Sequence, residues 1–205
     1  MYLFGGSSKE KENEEMYTLD LNLFKWATVK VKAENDDPSN LPRTRDEHSC
    51  VLNGNSMIIF GGFTFGYRTN EIFEYNFLTN TWRKIVHTSK DVPGPRAGHS
   101  AVIMQNEVIG DCMYIFGGKD DDNNKLNDTW KFNFKTLTWT QIVSDDAPLP
   151  RSGHAAQVYR EQYMIIYGGI FFVTRELNDL HVFDMKKEKW VCLFEELNSP
   201  AKSTM

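Results

Sequence analysis

A glycine pair recurs four times along this chain, at Gly5/Gly6, Gly61/Gly62, Gly117/Gly118 and Gly168/Gly169. Each pair closes an apolar run, and each is followed 20 or 21 residues later by a tryptophan. The runs are Met1 to Phe4, Met57 to Phe60, Met113 to Phe116 and Met164 to Tyr167; the tryptophans are Trp26, Trp82, Trp139 and Trp190. Successive pairs stand 51 to 56 residues apart. A period of that length means one supersecondary unit stacked on copies of itself, so the blade is what needs explaining.

Other positions keep register with the glycines. Asp20, Asn76, Asn133 and Asp184 each stand six residues before a tryptophan. Alternating apolar residues precede them: Tyr17 and Leu19, Phe73 and Tyr75, Trp130 and Phe132, and, slightly out of step, Val182 and Phe183. A short polar turn then leads into the tryptophan segment, which is the pattern of a hairpin. Upstream of the last three glycine pairs stand Arg43 with His48, Arg96 with His99 and Arg151 with His154, each opening a further strand-like run. A full unit therefore holds four short strands. Runs such as Met57 to Phe60 are apolar at every position, as expected of strands covered on both faces. Paired glycines at a strand end allow positive φ and close backbone approach, at an entropic cost that packing must offset. They read as scaffold, because the phosphate-cradling G-x-x-x-x-G-K-[ST] spacing is missing.

The order R-x-G-H, apolar strand, GG, N-D, aromatic strand, D/N and W six residues on resembles the kelch repeat and covers nearly the whole chain. The resemblance implies an all-β, kelch-type β-propeller of four-stranded antiparallel blades. About three and three-quarter blades are expected, a partial one near residues 1–40 and whole ones near 41–93, 94–148 and 149–197. The first R-x-G-H is missing, and Arg43 to His48 carries two extra residues. Because propellers avoid open edges, we expect a window on a larger ring of five to seven blades. A self-closed ring of four is the alternative, and the tail from Asn198 to Met205 is too polar to read as a closing strand.

Composition narrows the partner. A net charge of -5 with no basic, aromatic-interleaved stripe gives no reason to expect nucleic acid. No apolar run approaches 18 residues, so no membrane helix is expected. Cys50, Cys112 and Cys192 are odd in number and lack C-x-x-C spacing, which reads as reduced thiols in a cytoplasmic or nuclear protein. His48, His99 and His154 recur at one structural position and read as framework. Arg43, Arg96 and Arg151 are expected to pair with acids such as Asp128 and Asp179. No Ser/His/Asp or Cys/His set assembles, and we expect no enzyme, cofactor or metal.

The resemblance places partner recognition on the loops after each second strand and on the loops linking blades. Those loops are Ser7 to Glu15, Phe63 to Arg68, Lys119 to Lys125 and Ile170 to Arg175. Phe65 and Phe172 lie three residues past a glycine pair, and Arg68 and Arg175 six past it. Aromatic and arginine side chains supply most interface hot-spot energy, about 2 kcal/mol or more each. The expected protein-binding residues are therefore Phe63, Phe65, Tyr67, Arg68, Lys119, Asp120, Asp121, Asp122, Phe171, Phe172 and Arg175. The Asp120 to Asp122 cluster lacks the spacing of a calcium loop and reads as an acidic turn. The function expected is a protein-interaction module, as the recognition part of a larger adaptor or multidomain protein. The alternative is part of a kelch-like enzyme of oxidase, sugar mutarotase or specifier type.

Overall fold

The computed structural model describes residues 1–7, 15–173 and 175–194. The expected post-glycine loop at residues 8–14 and the polar tail both lie outside the described residues. The first blade has three strands in the order β1 (Tyr2–Phe4), β2 (Met16–Asp20) and β3 (Lys25–Val29). A short strand, β4 (Lys32–Ala33), follows. The second blade contains β5 (Ser49–Asn53) and β6 (Ser56–Phe60), then a two-stranded ribbon, β7 (Phe63–Thr64) and β8 (Tyr67–Arg68), then β9 (Ile72–Asn76) and β10 (Thr81–Ile85). Its order is β4-β10-β9-β6-β5, so Lys32–Ala33 joins the outer edge of this blade, parallel to Trp82. The third blade runs β11 (Ser100–Met104), β12 (Cys112–Phe116), β13 (Thr129–Asn133) and β14 (Thr138–Ile142). The fourth runs β15 (Ala155–Tyr159), β16 (Tyr163–Phe172), β17 (Arg175–Asp184) and β18 (Lys189–Phe194). This is a β-propeller architecture of antiparallel four-stranded blades, the first showing three strands.

The Asp/Asn position is a turn maker. Asn76 Oδ1 accepts the backbone N–H groups of Leu78 and Thr79, and Asn133 does the same for Lys135 and Thr136. Asp20 and Asp184 repeat the pattern. Such a side chain mimics a backbone turn and folds the third strand back into the fourth. The fourth strand then sets its tryptophan opposite the aromatic of the third, as with Trp82 and Tyr75, Trp139 and Phe132, and Trp190 and Phe183. In the fourth blade the out-of-step pattern reflects a histidine at the position three before Asp184, with the register from His181 to Asp184 unbroken. His181, facing Ile166, takes the place that Trp130 holds opposite Ile115.

The core lies between the blades. The second strands of the two middle blades are buried throughout, at all five residues of β6 and of β12. One cluster joins Ile58 and Phe60 to Met113, Ile115 and Trp139; the next joins Tyr114 and Phe116 to Met164, Ile166 and Trp190. Ring pairs mark each junction, with centroids 5.1 Å apart for Phe4 and Trp82, 5.1 Å for Phe60 and Trp139, and 4.7 Å for Phe116 and Trp190. The glycine pair fits into this seam. A Cβ on Gly117 would lie 2.8 Å from the Arg151 carbonyl of the next blade, and one on Gly118 would lie 2.9 Å from the Ala97 carbonyl of its own. Both glycines have positive φ, +65° and +98°. Steric room and backbone shape together demand glycine there.

Candidate functional site

The repeated histidines and arginines are brought into the framework. Arg96 donates two hydrogen bonds to Asp128 at 2.7 Å each and one to the Gly117 carbonyl at 3.0 Å. Arg151 repeats this with Asp179, at 2.6 and 2.8 Å, and with the Gly168 carbonyl. In the second blade the expected Arg43 is not the equivalent residue. Arg45 holds that place, donating to the Gly61 carbonyl at 3.1 Å and to Glu71 at 3.4 Å. The spacing to histidine carries the signal: Arg45, Arg96 and Arg151 each stand three residues before His48, His99 and His154. Burial opposes ionisation of Asp179, but hydrogen bonds from Arg151 and His181 hold its carboxyl far below the usual range.

His99 Nε2 lies 2.7 Å from Ser49 Oγ, and His154 Nε2 lies 2.7 Å from Ser100 Oγ, so each ring is tied to the preceding blade. Burial, reinforced by Arg45 and Arg151, pulls His48 and His154 down to about 4. Burial and Arg96 also hold His99 well below its ordinary value. These rings are neutral structural groups near pH 7. Among the described residues, no group of three or more His, Cys, Asp or Glu is placed to hold a metal ion.

The loop face is built differently. The ribbon of β7 and β8 is closed by Phe65 and Gly66, both at positive φ, +47° and +92°. Two left-handed residues suit a tight hairpin, where Asn-Gly is the favoured pair. Phe65 is 57% exposed, with Arg43 over its ring at 5.5 Å. Phe65 and Arg43, with Pro42 and Thr44, line an open hollow of about 490 Å³. Phe63 and Tyr67 are also exposed.

Arg68 differs from the expectation of an arginine presented to a partner. It is 8% exposed and bridges to the third blade: its Nη2 donates to Asn123 at 2.6 Å, its backbone N–H donates to Asp121 at 2.9 Å, and it lies over the Phe63 ring at 5.7 Å. The sequence marks an arginine at that spacing but does not reveal the neighbouring-blade carboxylate that takes it out of solvent. Lys119 makes a second bridge, to Glu47 at 2.9 Å. Asp120 accepts the N–H groups of Asp122 and Asn124 and organises its own turn, while Asp122 remains exposed. Phe171, Phe172 and Arg175 form a separate hairpin tip on the fourth blade. There Arg175 lies over Phe171 at 5.6 Å and Phe172 is 67% exposed. The tip is fastened at its base by the Ser152–Ile170 bridge.

A repeated blade with inter-blade histidines, arginines and glycine pairs defines the kelch class of β-propeller. The family model for the Attractin/LZTR1 β-propeller matches residues 1–140 and 113–205, and the chain belongs to that family. It is similar to acyl-CoA-binding domain-containing protein 5 of Arabidopsis thaliana, with 30% identity over 93% of this chain and 29% of the relative. It is also similar to Kelch domain-containing protein 10 of Xenopus laevis, at 33% identity over 83% of this chain and 40% of the relative. The human protein of that name is 32% identical over 83% of this chain and 37% of the relative. The chain thus spans well under half the length of the curated relatives it matches.

Proposed function

We propose that this propeller is a protein-interaction module whose partner seats on the loop face around Phe65, and that it serves as the recognition part of a longer adaptor or multidomain protein. The carrying observation is Phe65 itself. A large apolar side chain holds a left-handed backbone position at the tip of a ribbon and faces solvent there. Phenylalanine is a costly choice for that turn, since Asn would adopt the same backbone at lower cost. Exposed aromatic anchors in a rigid setting are what partner hot spots are made of. The Arg68–Asp121, Arg68–Asn123 and Lys119–Glu47 bridges supply the rigidity by locking the ribbon and neighbouring loop before a partner arrives. Cys50 and Cys112 are free thiols, in keeping with a cytoplasmic or nuclear setting.

The test is affinity capture from native extract with the unaltered chain, Phe65→Asn, and Leu78→Ser, the last in an exposed turn at the opposite end of its blade. A protein retained by the unaltered chain and by Leu78→Ser but lost by Phe65→Asn is expected. Equal retention by all three would remove Phe65 from the interface.

A further inference from the structure

The repeat supplies its own comparison for the wall of the hollow beside Phe65. Each framework arginine donates from Nε to the carbonyl two residues before it: Arg45 to Arg43 at 3.1 Å, Arg96 to Gly94 at 3.1 Å, and Arg151 to Leu149 at 3.0 Å. The framework takes only a carbonyl from this position, and glycine provides that as well as arginine does. The side chain of Arg43 is therefore surplus to the blade. It is exposed, no acid among the described residues pairs with it, and its guanidinium lies over the Phe65 ring at 5.5 Å.

The nearby acids of the loop face are engaged elsewhere. Asp46 accepts from Ser7 Oγ at 2.6 Å, Glu47 pairs with Lys119 at 2.9 Å, and Asp121 accepts the Arg68 backbone N–H at 2.9 Å. Arg43 is thus a cation without a counter-charge in a chain whose net charge is -5. The surface that carries it is also held in place. Thr64 Oγ1 donates to the Thr44 carbonyl at 2.7 Å, and Asp46 and Phe63 exchange backbone hydrogen bonds at 3.0 and 2.9 Å. These bonds stitch the ribbon to the segment that carries Arg43. The hollow of about 490 Å³ falls within the roughly 300–1,000 Å³ of ligand clefts, but it is open, which suits a stretch of polypeptide. Its lining of Pro42, Arg43, Thr44 and Phe65 holds a single planar guanidinium. That matches one carboxylate better than a doubly charged phosphate.

We propose that the polypeptide segment seated on this face brings an Asp or Glu side chain to Arg43 and an adjacent apolar side chain to Phe65. The inference rests on the reading of the Phe65 face as the partner site, and it names the chemistry that the site selects. Phe65 supplies apolar area, and its ring holds the guanidinium in position before binding, which lowers the ordering cost of the ion pair. The same charge rejects segments that present lysine or arginine at that point.

Random linear peptides displayed on phage, flanked at both ends, are selected on the full chain. The most enriched sequence is then synthesised with both ends blocked, and its binding is followed by fluorescence anisotropy. The expected sequences place Asp or Glu beside a large apolar residue. Arg43→Gln weakens the peptide at least about tenfold, the scale of a charge-assisted hydrogen-bonded pair. Changing the peptide's acid to its amide weakens binding by a similar factor, and once Arg43 is replaced that change has no further effect. Arg160→Gln, at an exposed arginine in a turn of the fourth blade, removes the same charge and leaves binding unchanged. Circular dichroism checks that the variants remain folded. Peptides lost by Phe65→Asn but indifferent to Arg43→Gln leave the partner face standing and overturn this inference alone. Peptides indifferent to both substitutions overturn the face as well. Enrichment of sequences without an acid, or no enrichment at all, also overturns the inference.

Discussion

The buried Arg151 is satisfied by two short bonds to Asp179 and one to a carbonyl, and its side chain has no exposed surface. Removing only the acid leaves a cation buried without its counter-charge, so Asp179→Ala should destabilise by about 3–5 kcal/mol. Arg45 makes a single 3.4 Å contact with Glu71, a third of whose side chain faces solvent. Glu71→Ala should cost nearer 1 kcal/mol. Urea titrations of the two variants give the comparison, and equal losses would contradict the geometry. The histidines set the pH dependence. From about pH 6.5 down to about 4, the unfolded chain binds protons on His48 and His154 that the folded chain excludes. Stability therefore falls as the pH drops through that window, by on the order of 3 kcal/mol for each ring. Melting temperatures between pH 7.5 and 4.5 should show the decline, and His154→Gln should reduce its slope. The framework role of these residues was legible in their period. Which arginine of the second unit belonged to it was not, because two inserted residues moved the Pro-Arg pair while the arginine three before His48 kept its contacts.

At the level of the strand and loop, the glycine pair and the ribbon make opposite demands. Gly118→Ala places a methyl group 2.9 Å from a carbonyl at φ +98° and should cost about 2 kcal/mol or more. Gly94→Ala, in open space and without positive φ, should stay within about 0.5 kcal/mol. A thermal melt of both separates scaffold glycines from incidental ones. Phe65→Asn should raise stability: it relieves a left-handed phenylalanine, a penalty of about 1–2 kcal/mol. It gives up an exposed contact with Arg43 of only about 0.5 kcal/mol. A fall in stability would mean that Phe65 is held by packing and not by function. Strands, turns and their order could be read from alternation and from the Asp/Asn position. The fate of the loops could not, since whether Arg68 meets solvent depends on Asp121 and Asn123, more than fifty residues away and one blade over.

Over the whole molecule, the packed junctions account for the repeat, and the loop face carries what the repeat does not specify. The blades present Phe63, Phe65 and Tyr67 beside a braced acidic turn, while a second aromatic tip, Phe171 and Phe172, stands on the fourth blade. Tyr167 on the fourth blade and Trp26 on the first are each 53% exposed. Periodicity foretold blades and inter-blade cores, but exposure at the two ends is a property of the assembled arc. The central claim is that a protein partner seats on the face around Phe65. Hydrogen–deuterium exchange of the chain with and without its captured partner tests this most directly. Slowed exchange confined to the ribbon at residues 63–68 and the loop at 119–125 is the predicted result. Protection that spares both segments and falls on the opposite turns, such as Asn76 to Thr81, would contradict it.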